Sequence, residues 1–256
     1  MGVDMIYAII GLALFAAAYS LYGGLSAVAW TDVIQVVFLV LGGLVTTYLA
    51  LNTVSGGEGV MAGFSKVWDA APEKFHMVLE EFNTDGSKNG NYIDLPGIWV
   101  LLGGLWVANI YYWGFNQYII QRTLAAKSLK ESQKGILLAA FLKLIIPLIV
   151  VVPGIAAYVM VNDPEIMASL GSVGQLNMPS AEQADKAYPW LLQFLPTGLK
   201  GVAFAALAAA IVSSLASMLN STSTIFTMDI YKEYFNKNAT HSIKYFKNIN
   251  TRKILQ

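Results

Sequence analysis

Cysteine is absent from the 256 residues, which excludes disulfides, thiolate metal sites and cysteine nucleophiles. Histidine is nearly absent: His76 and His241 are the two copies, far apart and each in a polar stretch. No HExxH, CxxC, GxSxG or phosphate-loop pattern occurs. Without a nucleophile–base pair or a metal constellation, an enzyme is the least supported class. Charge is scarce as well. Asp, Glu, Lys and Arg make up 12% of the chain and cancel to a net charge of zero, whereas soluble domains average about 25% charged residues. A neutral chain gives no case for nucleic acid as a partner. What abounds is apolar: 56% of residues are hydrophobic, with a mean hydropathy of +0.55. This is the composition of an integral membrane protein.

A membrane helix takes about 20 mostly apolar residues. Five windows qualify: Met5 to about Tyr22, Val33 to Leu51, Gly97 to about Ile120, Gly135 to Val161, and Leu199 to about Met228. They predict an all-α, polytopic helical bundle. Residues 1–52 carry two transmembrane helices and 53–96 an acidic extracytoplasmic loop. Residues 97–161 carry two more helices, 162–198 a second acidic loop, 199–231 the fifth helix and 232–256 a basic cytoplasmic tail. The first window lacks the basic start and cleavage site of a secretory signal, and more spans follow it. Between the first two windows, Tyr22-Gly-Gly-Leu-Ser-Ala-Val-Ala-Trp30 reads as a tight connection whose paired glycines permit a sharp turn. Pro147 and Pro153 predict a kink or local break in the fourth window. Ala62–Glu81 reads as a short surface helix, Thr84–Asn91 as a turn, and Ser128 with Glu131 as a capping box. Arg122, Lys127, Lys130 and Lys134 follow the third window, and further lysines follow the fifth. Both basic segments are therefore expected on the cytoplasmic side, with the acidic loops outside.

The stretch Trp106–Arg122 stands apart. It lies in an apolar run yet carries Asn109, Tyr111, Tyr112, Trp113, Asn116, Gln117 and Gln121. Polar side chains at membrane depth are costly unless partnered, so they turn toward a bundle interior or a wet cavity. Flat rings with polar tips suit a ligand that has both hydroxyls and C–H faces, such as a sugar. An interfacial aromatic belt is the other reading, but it explains Asn109 and Tyr112 less well, since apolar residues extend on both sides of them.

Lys143, inside the fourth window, is expensive by about 2.5 to 3.5 kcal/mol on insertion scales. It needs water, a carboxylate or a substrate, or else it snorkels toward the cytoplasm. Asp32 opens the second window, either as an acid favoured by a helix N-terminus or as part of an ion pathway. Ser213 and Ser214 follow Ala210 at offsets that share one helix face. Two hydroxyls with a freed backbone carbonyl suit a weak monovalent cation site. Small residues at such places also allow close helix packing.

Four stretches resemble the sodium:solute symporter family, and its sugar branch in particular. They are Gly11–Ala27, Gly103–Thr123, Ala139–Pro147 and Phe204–Asn220. The resemblance runs from about residue 3 to about residue 234 and stops at an Asn/Lys-rich tail. It implies a fold of two inverted five-helix repeats with substrate held at the midplane by broken helices. The present spans would match the end of the first repeat and the start of the second. By motif match, it implies Asn109 and Lys143 as partners of sugar hydroxyls. Tyr112 becomes an aromatic gate stacking on the sugar from the cytoplasmic side, with Trp113 beside it. The Ala210 carbonyl and the Ser213 and Ser214 hydroxyls become ligands of a co-transported sodium ion, and Asp32 an acid on its release path. Core helices that complete both sites in the family have no counterpart here. The expectation is thus a partial, inactive piece of a sodium-coupled hexose (galactose or glucose) symporter, multi-pass in the inner plasma membrane. The rival readings are a sodium symporter for another small solute, and a non-transporting membrane fragment or assembly subunit.

Overall fold

The structure, a computed structural model, describes residues 4–83, 85–93, 97–176, 178–235 and Lys237. The expected basic tail therefore lies largely outside the described residues. In chain order the helices are α1 Met5–Val54, α2 Val60–Ala70, α3 Gly97–Trp99, α4 Leu105–Ile110, α5 Gln117–Leu124, α6 Leu129–Lys143, α7 Ile146–Asn162, α8 Pro164–Gln175, α9 Ala187–Leu192 and α10 Thr197–Ile225. Among the described residues, four stretches are long and apolar enough to cross a membrane: Met5–Val54, Gly90–Phe115, Leu129–Asn162 and Thr197–Phe235. The chain is an all-α membrane helical bundle. Among the described residues the one β feature is a bridge between Phe82 and Lys88, closing the expected turn. There the Ser87 hydroxyl and amide bond Asp85 and hold its carboxyl below the ordinary value.

The breaks in these runs matter more than their lengths. At 50 residues, α1 spans about 75 Å at 1.5 Å per residue, more than twice a hydrocarbon core of about 30 Å. It is divided at Gly24, whose φ of 57° and ψ of −164° are non-helical. A residue without a Cβ takes that conformation without steric cost. The connection expected between the first two windows is therefore a kink, with helix on both sides. Tyr19 braces it, donating its hydroxyl proton to the Ala27 carbonyl at 2.8 Å.

The third window does not run through to Ile120. Its helix ends at Phe115, and Asn116 is extended (φ −80°, ψ 109°) and caps a new helix by accepting from the Tyr118 amide. Asparagine offers the backbone a local bond that competes with helix continuation, which explains the break. The fourth window breaks after Lys143. Pro147 has no N–H to give the Lys143 carbonyl, and its ring crowds that position. The Leu144 and Ile145 amides turn instead to Phe141 at 3.1 Å and Leu142 at 3.0 Å, and α7 begins anew. Pro153 lies inside α7, which continues through it. The surface helix expected over Ala62–Glu81 stops at Ala70, because Ala71 precedes Pro72 and adopts φ −145°. Of the expected capping box, the structure shows Ser128 Oγ accepting from the Glu131 amide at 3.3 Å.

By their contacts, the described residues fall into two compact units. One draws on the described residues within Met1–Phe38, Asn116–Ser132 and Ala205–Gln256, the other on those within Leu39–Phe115 and Gln133–Phe204. In the second unit Leu51, Val54, Val67, Ala156, Met160, Trp190 and Leu191 form the core. Here the short helices α2 and α9 pack on α7 and the end of α1, and Trp190 Nε1 donates to the Gly174 carbonyl at 3.0 Å. In the first unit Ala16, Val28 and Ala216 are fully buried, with Tyr19, Val212 and Leu215 packed against them.

Candidate functional site

The second unit holds the aromatic stretch. Residues Tyr111–Phe115 form a π-turn directly after α4, and Val100–Gly104 form another before it. A π-turn adds a residue to the helical ring and changes the angle at which side chains leave it, which is why such turns occur often at functional sites. Here it carries Tyr112 and Trp113, whose rings meet edge to face at 5.3 Å. Lys143, at the broken end of α6, brings its Nζ to 4.5 Å from the Trp113 ring centre and 5.6 Å from that of Tyr112. The ammonium is thus met by two π faces, whose negative quadrupoles attract a cation. Asn109 lies elsewhere in its contacts. Its Nδ2 donates to the Leu105 carbonyl at 2.8 Å, one turn back on its own helix, and the residue is exposed. Tyr112 and Trp113 are each 40% exposed.

The first unit holds Asp32, about two turns beyond the Gly24 kink and past the first turn in which a helix dipole acts. Its Oδ2 accepts from Arg122 Nη2 at 2.7 Å and Nε at 3.2 Å. Its Oδ1 accepts the Ser213 hydroxyl. Arg122 Nη2 also donates to Ser217 Oγ at 2.6 Å, and Nη1 donates to the Tyr118 carbonyl at 3.2 Å. Beside it, Gln121 Nε2 donates to the Ser217 carbonyl at 3.1 Å. Ser213 is buried, Ser217 is wholly buried, and Ala210 and Ser214 are half-buried. Gln35, with its amide turned so that nitrogen faces the Ala209 carbonyl and oxygen faces the Ala210 N–H, joins α1 to α10 at the same turn.

Two things were not legible beforehand. Arg122 reads as part of a basic cytoplasmic loop, but it pairs with Asp32. Gln121, Ser217 and Gln35 complete the network without any motif. A signal existed: an acid inside an apolar window demands a partner, and Arg122 ends the polar face of the Trp106–Arg122 stretch. Asp32, near a span end, is the one carboxylate that the surrounding spans offer to Lys143, yet the structure gives the acid to Arg122 and the lysine to the rings.

The sequence profile of the sodium:solute symporter family matches residues 1–251, further into the tail than position 234. The chain is 67% identical over 239 residues to a sodium/glucose cotransporter of Vibrio parahaemolyticus, covering 93% of this chain and 43% of that relative. It is 35% identical over 240 residues to human sodium/myo-inositol cotransporter 2, covering 89% and 34%. It is 36% identical over 232 residues to the uncharacterized symporter YidK of Escherichia coli K12, covering 90% and 36%. The chain spans less than half the length of these relatives.

Proposed function

The chain belongs to the sodium:solute symporter family, and from that premise we propose that it forms part of a sodium-coupled hexose symporter of a bacterial inner membrane. Alternating access would run on the sodium gradient, because a ligand shifts a two-state equilibrium only through its differential affinity for the two states. The inverted-repeat architecture expected from the sequence belongs to this proposal.

The observation that carries it is the Lys143 ammonium lying over Trp113 and Tyr112. The sugar's C–H face would stack on those rings, its hydroxyls accepting from the ammonium and donating to Asn109 Oδ1. Stacking supplies contact area; the polar tips supply orientation. Sodium would be held by the Ala210 carbonyl and the Ser213 and Ser214 hydroxyls. Ser213 commits its proton to Asp32, which leaves oxygen lone pairs for a cation. Asp32 would then serve the ion's release path.

The test is binding of labelled glucose and galactose to the chain in nanodiscs, with sodium or with choline in its place, and the Vibrio relative alongside. Sodium-dependent hexose binding supports the reading; equal binding in both salts removes it. Stronger competition by myo-inositol than by glucose would favour a different solute, the second reading suggested by the human relative. Replacing Tyr112 by Ala is expected to weaken sugar retention by about tenfold, on the scale of one stacking contact of about 1 to 1.5 kcal/mol. Tyr112→Phe keeps the ring and should stay within about twofold. Equal loss from both would assign the effect to the hydroxyl and not to stacking.

A further inference from the structure

Arg122 has no task in the sodium and sugar sites as assigned, yet its guanidinium bonds Asp32, Ser217 and the Tyr118 carbonyl at once. Neighbouring residues of α5 close on one residue of α10. Gln121 takes the Ser217 carbonyl at 3.1 Å, and Arg122 takes the Ser217 hydroxyl at 2.6 Å. Ser217 lies one helical turn beyond Ser213. The same guanidinium nitrogen holds Asp32 Oδ2 at 2.7 Å, while the other oxygen of that carboxylate accepts the Ser213 hydroxyl. Arg122 therefore grips both ends of one turn of α10: Ser217 directly, and Ser213 through Asp32.

We propose that Arg122 is a positioning residue for the sodium site, aiming Asp32 at Ser213 so that the Ser213 oxygen presents its lone pairs to the ion. This rests on the sodium reading given above. The physical logic lies in the hydroxyl. A serine in a helix otherwise bonds back to a carbonyl of the preceding turn, which sets its lone pairs by the helix and not by the site. Asp32 takes the Ser213 proton in place of that carbonyl, but only while its carboxylate is held. Two nitrogens of a planar fork on a single oxygen, with the fork itself anchored on Ser217 and on the Tyr118 carbonyl, hold it. α5 can present the fork because the chain restarts at Asn116.

The sign of the effect separates this proposal from simple electrostatics. A guanidinium near a cation site repels the cation, so removing it on charge grounds alone would tighten sodium binding. Loss of aim does the opposite. The experiment measures radioactive sodium binding to the purified chain in nanodiscs, with choline as the replacing ion and melting in choline as the control for folding. Arg122→Ala is expected to weaken sodium binding by about tenfold. Arg122→Lys, which keeps one donor for Asp32, should recover to within about threefold of the parent. Ser217→Ala leaves both charges in place, removes only the outer anchor of the fork, and should weaken binding by about threefold; it serves if Arg122→Ala does not fold. In a Ser213→Ala background, Arg122→Ala should add no further loss, since the hydroxyl it aims is gone. Tighter binding in Arg122→Ala, or unchanged binding in both Arg122→Ala and Ser217→Ala while Ser213→Ala loses the ion, overturns the positioning role and leaves the sodium site standing. No sodium binding by the parent chain overturns the sodium site, and the positioning role falls with it.

Discussion

Asp32→Ala is expected to be among the most damaging single changes in the first unit. It removes the acceptor of two Arg122 nitrogens and of the Ser213 hydroxyl at once. Breaking a buried ion pair by deleting one partner costs about 3 to 5 kcal/mol, because the other charge stays behind without its counter-ion. The side chains of Arg122 and Asp32 remain 31% and 23% exposed, so water offsets part of this, and about 2 to 3 kcal/mol is the expected loss. Melting in detergent micelles should fall accordingly. The informative companion is the double change Asp32→Leu with Arg122→Leu. Replacing both ions by apolar residues of similar bulk is often neutral for stability, so this variant should melt close to the parent. Sodium binding should stay lost in it. A double variant that melts as low as Asp32→Ala would show the pair to be a structural requirement rather than a functional one.

Gly63→Ala is the second large effect, in the other unit. A Cβ placed there would lie 2.0 Å from the Leu51 carbonyl oxygen and 2.6 Å from its carbon. These are backbone atoms inside α1, which cannot rotate away as a side chain would. Alanine gains about 1 kcal/mol in helix propensity over glycine, but α2 must lift from α1 to admit the methyl group. Overpacking costs about 1 to 3 kcal/mol, and more where backbone must shift. The core residues Val67 and Ala71 would be pulled with it. The control is Gly42→Ala, where an added Cβ meets nothing within 4 Å; it should be neutral or slightly stabilising. A net melting loss of several degrees for Gly63→Ala beside no loss for Gly42→Ala is the expected pattern, at about 2 to 4 °C per kcal/mol for a chain near this size. Equal melting of the two variants would mean that α2 does not pack on α1 as described.

Much of this arrangement was legible in the residues. The apolar windows gave helices because lipid leaves the backbone no other local solution. Pro147 announced a break, because a missing N–H acts on the chain itself and needs no knowledge of neighbours. Lys143 announced that it needed a partner, but its sequence did not name one. Cation–π contacts leave no spacing signature: the rings at 112 and 113 and the ammonium at 143 meet only once the chain has broken after Phe115 and again after Lys143. Asn116 was legible as a polar residue in an apolar run, but its role as a helix cap depends on one backbone angle, and hydropathy averages over such angles. The partner of Arg122 was hidden for a related reason. Counting basic residues near span ends assigns sides of a membrane and treats every such residue as solvated. A guanidinium on a long stem satisfies that count from a loop and from a bundle interior alike.

The break between α6 and α7 has a consequence for hydration. The imino nitrogen of Pro147 carries no hydrogen, so the carbonyl one turn before it, on Lys143 itself, is denied its helical donor. Surrounded by acyl chains, such an oxygen would cost several kcal/mol, and a single water molecule removes most of that cost. A proline therefore makes this turn of the bundle one that water would relieve, directly beside the lysine that shares its backbone.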